Sequence, residues 1–231
     1  LKMPGFDGET TARELARFLD EQRLTDPPGT LRVRFLEVHD AETQRFTNWC
    51  GVNGGKALRS AIFWSKGIPQ ILSSTDTGTG VLLQRLNAIR AALPEFRRGK
   101  AEYQAVGSKP AVFAVLRKLP VQSSIGITSF IPEAIKTELD IPVEKLGFDQ
   151  GSKVALFNSW SGEKLREGTL ESFKKISLEL PAYGNAVLTW RKVGTKCPIA
   201  SPVKLNYSIP VEKPLTLKDS SNEICVEGPK T

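Results

Sequence analysis

The chain is short of the residues that carry most site chemistry: in 231 residues it has one histidine, three cysteines and one methionine. A structural zinc site needs about four ligands at short local spacings, and His39, Cys50, Cys197 and Cys225 are too few and too scattered to supply them. No CxxC pair, HExxH or GxSxG is present, so no metal site and no cofactor are expected. An odd number of distant thiols does not make a disulfide framework. Reduced, buried cysteines in a reducing compartment are the expectation. Long apolar runs are missing too: no window approaches the ~20 residues that cross a bilayer, so no membrane span is expected. The amino terminus, Leu1-Lys2-Met3-Pro4-Gly5, shows no basic stretch followed by an apolar one, and it does not begin with methionine. The expectation from this is a processed product or a piece of a polyprotein.

What the chain does have is a core-forming balance, 40% hydrophobic and 25% charged, typical of a globular protein. Thirty-two Lys and Arg against 25 Asp and Glu leave +7, which favours anionic partners. The basic residues are spread along the chain and form no Arg-rich arm.

Thr11 to Glu14 has capping-box spacing, and Leu15, Phe18 and Leu19 continue it as an apolar stripe, which predicts a helix ending at Thr25-Asp-Pro-Pro-Gly29. Leu82, Leu86, Ile89 and Leu93 predict a second helix closed by Pro94. Pro132 opens a short third helix over 133–139. Residues 57–72 are ambiguous, because the compact run Ala61-Ile-Phe-Trp64 suits either period. Alternation and bordering turn residues predict eight strands, at 31–38, 45–52, 101–106, 111–119, 153–160, 173–180, 186–193 and 203–211. The fold class expected from this layout is mainly β with inserted helices, an eight-stranded jelly-roll-like sandwich, with an α+β mixed sheet as the alternative. The corresponding domain plan is a helical segment at 1–30, one β-rich domain at 31–211 and an extended tail at 212–231, whose few apolar residues would order only against a neighbouring subunit.

Asp76-Thr77-Gly78 spells the tripeptide of aspartic proteases, but one copy running into a helix reads as a polar loop. Thr77-Gly-Thr-Gly80 lacks the Gly-Lys-Thr/Ser ending of a phosphate-binding loop. If 31–38 and 45–52 form a hairpin, His39 and Cys50 stand roughly 17 Å apart, which excludes a dyad. No catalytic residue is therefore expected. Asn206-Tyr207-Ser208 is a glycosylation sequon by spelling, inside an expected strand. The better-founded chemistry is contact with phosphates. Arg90, Arg97, Arg98 and Lys100 would gather at one helix end, and Lys174, Lys175, Arg191 and Lys192 on two neighbouring strands, with Trp190 placed to stack.

Together these features point to a non-enzymatic structural subunit, a viral coat protein that assembles with copies of itself or related subunits and touches RNA or DNA through phosphates. A nucleic-acid-binding subunit of a ribonucleoprotein or a movement-type transport protein is the alternative, and a hydrolase built on Asp76 a distant third.

Overall fold

The computed structural model describes residues 7–37, 46–71, 79–120, 122–198, 216–218 and 223–225. The chain divides into two units, 1–201 and 202–231. In the first, helices α1 (Gly8–Thr25), α2 (Phe46–Trp64), α3 (Gly80–Ala92) and α4 (Pro94–Arg98) alternate with two very short strands, β1 (Val33–Arg34) and β2 (Ile68–Pro69). Eight longer strands follow: β3 (Lys100–Glu102), β4 (Val112–Leu119), β5 (Gln122–Ser129), β6 (Ile135–Asp140), β7 (Lys153–Asn158), β8 (Glu163–Thr169), β9 (Lys175–Leu180) and β10 (Asn185–Lys192). In the second unit, β11 (Thr216–Lys218) and β12 (Glu223–Cys225) pair antiparallel.

The architecture is β sheets with helices, and the sheets are not closed. A six-stranded sheet runs β3-β4-β5-β10-β7-β8, and a separate two-stranded sheet pairs β6 with β9. Helices pack on one face of the large sheet and the small sheet covers part of the other. Burial on both faces explains why β4 reads as a continuous apolar run. Phe113 and Val115 enter the helix-side core with Trp64, Leu86, Ile89 and Phe96. Val112, Ala114 and Leu116 enter the second core with Leu139, Ile176, Leu188 and Trp190.

This corrects the jelly-roll expectation at several elements. Residues 45–52 open helix α2 instead of forming a strand; the helix breaks at Gly51 (φ 68°, ψ 173°), a conformation that suits glycine. The strand expected at 31–38 shrinks to Val33–Arg34. The helix expected at 133–139 is strand β6, whose burial alternates. The strands expected as neighbours at 173–180 and 186–193 do not pair with each other: β9 pairs with β6, and β10 with β5 and β7. Strands β5 and β8 were not expected at all. The strand expected at 203–211 lies outside the described residues, as does the sequon.

Helix α1 begins earlier than its expected cap. Asp7 is the N-cap and accepts the Glu9 amide at 3.0 Å, satisfying a donor that the first turn leaves open. Arg117, fully buried on β4, donates to the Trp64 carbonyl at 2.8 Å and the Gly99 carbonyl at 3.0 Å, and its guanidinium lies 5.9 Å from the Phe96 ring centre. One side chain thus ties the ends of α2 and α4 to the sheet.

Candidate functional site

β1 and β2 are parallel, with Val33 opposite Ile68 and Arg34 opposite Pro69. Parallel neighbours need a crossover, and α2 supplies it, giving a β-helix-β unit followed by α3. In folds assembled from such units, chemistry gathers at the carboxyl ends of the strands.

Beyond β1 the chain passes through Glu37, whose carboxylate is buried 3.5 Å from the Arg59 guanidinium of α2, with both side chains under 5% exposed. A buried pair of this kind fixes the backbone leaving β1, because separating the charges would strand one of them without water. Cys50 lies close to the same pair. Burial pushes its thiol up to about 11, so it is a neutral thiol at ordinary pH and not an activated nucleophile. The hairpin that separated His39 from Cys50 does not exist, because Cys50 stands on a helix. His39 and Asp76 lie outside the described residues.

On the other side of β1, against α1, runs an apolar groove of about 760 Å³. Leu15, Phe18, Val33, Phe35, Trp49 and Ile62 line it. Phe18, Val33 and Phe35 are each about half exposed, at 52%, 50% and 48%.

The basic residues singled out by sequence are distributed as follows. Arg90 donates to the Phe63 carbonyl at 2.6 Å and the Gly67 carbonyl at 2.9 Å, joining α3 to the end of α2, and burial lowers its pKa to about 10. Arg97 and Arg98 are exposed on the last turn of α4, and Lys100 is exposed on β3. Lys174 pairs with Glu171 at 2.6 Å in the turn before β9, and Lys175 with Glu138 at 2.8 Å on the small sheet. Arg191 is buried on the large sheet, 2.9 Å from Glu95 of α4, while Lys192 beside it is exposed. The two strands expected to present the second cluster belong to different sheets, and Trp190 is fully buried in the second core. Sequence reasoning missed Glu37 and Arg59 as a pair; a charged residue at the end of a short apolar run was the available signal.

No family model matches the chain, and no curated protein matches it in sequence. Its fold is nevertheless similar to solved glycosyl hydrolases. An alpha-amylase from Anoxybacillus superposes with a TM-score of 0.63 at 17% identity, over 80% of this chain and 45% of that one. A maltogenic alpha-amylase from Thermotoga neapolitana gives 0.60 at 15%, over 80% and 47%. A debranching enzyme from Nostoc punctiforme gives 0.56 at 20%, over 77% and 40%. The chain spans less than half the length of each of these. The likeness overturns the coat-protein reading, its nucleic-acid alternative and the Asp76 protease-type hydrolase. It also corrects the expectation of a non-enzymatic protein, since the solved neighbours are enzymes. Among the described residues no helix is long and apolar enough to cross a membrane.

Proposed function

We propose that this chain is one part of a carbohydrate-active enzyme that hydrolyses glycosidic bonds, and that the remainder of a longer polypeptide completes the catalytic unit. The observation that carries the reading is the β1-α2-β2-α3 unit with an apolar groove on its β1 face, in a fold similar to alpha-amylases and a debranching enzyme over about four-fifths of this chain. A buried apolar face on a parallel pair is normal; a half-exposed one calls for further strands and helices.

Glycoside hydrolysis uses two carboxyl groups flanking the scissile bond, one donating a proton to the leaving oxygen while the other attacks or activates water. The sequence beyond β1 reads Leu36-Glu37-Val38-His39-Asp40. Glu37 is committed to Arg59, and the next carboxylate in the sequence, Asp40, outside the described residues, is the one assigned to the reaction in this proposal. The proposed substrate class is an α-linked glucan, following the amylases and the debranching enzyme. The partner expected from sequence, another copy of the chain, gives way here to the rest of the same polypeptide.

The test is hydrolysis of a soluble α-glucan by the full-length protein isolated from its source, beside the Asp40→Asn variant. Hydrolysis is expected, with a loss of about 10²–10⁴-fold in kcat in the variant. An inactive full-length protein, or a variant with unchanged kcat, overturns the reading.

A further inference from the structure

The turn that leads into β1 and Lys66, two residues before β2, border a second, polar pocket of about 230 Å³, at the opposite end of the parallel pair from Glu37. Its wall is rigid. Pro27 and Pro28 fix the turn, Gly29 adopts φ 88°, and the Thr30 amide donates to the Pro27 carbonyl at 3.1 Å.

Three cations, Arg23, Arg34 and Lys66, face this pocket. Arg34 donates from Nε to the Lys66 carbonyl and from Nη1 to Gln22 at 3.0 Å, and its Nη2 has no partner among the described residues. The Lys66 ammonium is exposed and has no carboxylate within ion-pairing distance among the described residues. Tyr103 is 3% exposed, and its hydroxyl accepts the Lys66 amide at 2.9 Å. That hydroxyl has no acceptor for its own proton among the described residues. Arg23 adds a third cation, its Nε held by Asp20 at 2.9 Å. One carboxylate lines the pocket, Asp26, and Arg32 occupies both of its oxygens, at 3.1 and 2.9 Å from Nε. The Arg32 bond holds that carboxyl below the usual range, while burial pulls Arg34 below the usual guanidinium range.

We infer that this pocket is an oxyanion site for a phosphoryl group, held by Arg34 Nη2, the Lys66 ammonium and the Tyr103 hydroxyl. A tetrahedral oxyanion offers several acceptors at once to the three donor-bearing residues that line the pocket, and charge-assisted bonds of this kind are the strong ones. Arg34 and Tyr103 are already fixed by their other bonds, so little side-chain entropy is lost on binding. The site stands apart from the carboxylates of the glycosidase reading and does not depend on it. Either free phosphate or the ester group of a sugar phosphate satisfies this chemistry.

The test is calorimetric titration of the protein with inorganic phosphate at ionic strength held constant with chloride, so that the general +7 charge does not account for the signal. Saturable binding is expected, weakened about tenfold in Lys66→Gln by the loss of one charge-assisted bond. Tyr103→Phe is expected to weaken it as well while keeping the ring in the core. Circular dichroism checks that both variants stay folded, and if one does not, the other decides. A parallel titration with glucose 6-phosphate separates the two sources: tighter binding than phosphate assigns the ester, and equal binding the free anion. Absence of saturable binding of either probe, or binding unchanged in a folded variant, overturns the site.

Discussion

At the scale of single residues, the carboxyl group of Glu95 is held from two sides inside the molecule. It is fully buried, accepts the Ser124 hydroxyl at 2.6 Å and the Arg191 guanidinium at 2.9 Å, and its second oxygen has no partner among the described residues. Ser124 also contacts Thr189 at 2.9 Å, and Ser159 donates to Thr189 at 3.0 Å, so a polar thread runs from α4 through β5 and β10 to the residue after β7. Breaking a buried pair strands the remaining charge, which is worse than never having had the pair. Glu95→Ala is therefore expected to destabilise the protein by about 3–5 kcal/mol, and adding Arg191→Met to recover part of that loss. Urea unfolding of the two single variants and the double variant measures this. An additive double variant would show that the two side chains do not support each other. Little of this was legible in the sequence. Arg191 and Arg90 look like surface cations there, because their partners, Glu95 and the carbonyls of Phe63 and Gly67, come together only in the folded chain.

At the scale of elements, helix α3 and strands β4, β7 and β10 follow from periodicity almost as expected, and two of the failures, β5 and the start of α2, share one physical cause. Where helices press closely on the sheet, the sequence uses small residues that spell loops. β5 reads Gln122-Ser-Ser-Ile-Gly-Ile-Thr-Ser129, yet it is a central strand, paired with β4 and β10. Its composition makes sense beside Trp64 of α2, which donates from Nε1 to Thr128 at 2.9 Å and lies directly over Gly126. A Cβ at Gly126 would stand 2.5 Å from the Trp64 ring. Gly54 and Gly55, adjacent glycines of the kind that mark turns, are buried within α2. Gly126→Ala is accordingly expected to cost about 1–3 kcal/mol through overpacking, despite alanine's better strand behaviour. Chemical denaturation gives the value, and Trp64 fluorescence should shift with it. A neutral substitution would mean that α2 does not press on β5 as described.

At the scale of the whole molecule, the described residues build two buried cores and leave one apolar surface open. The six-stranded sheet is covered by helices on one side and in part by β6–β9 on the other, and its edge strand β8 carries charges, Glu163, Lys164, Arg166 and Glu167, that discourage further pairing. Among the described residues the β1–β2 pair has no such protection. Leu31, Val33, Phe35 and Ile68 are 48–54% exposed, and Phe18 of α1 adds to the same apolar groove. Parallel strands are ordinarily buried on both faces, and a two-stranded parallel sheet cannot shield itself. The solved enzymes of similar fold are more than twice as long as the part this chain covers. If the rest of a longer polypeptide covers this face, the 231-residue chain by itself should bind a hydrophobic dye such as ANS and associate as its concentration rises. Replacing Phe18 and Phe35 by Ser should reduce both signals without loss of secondary structure, since neither side chain belongs to a buried core. Dye binding and light scattering of the chain, the double variant and the full-length protein decide it. A chain that stays monomeric and dye-free at high concentration would show that the groove is tolerated as it stands, and the case for a missing complement would fall with it.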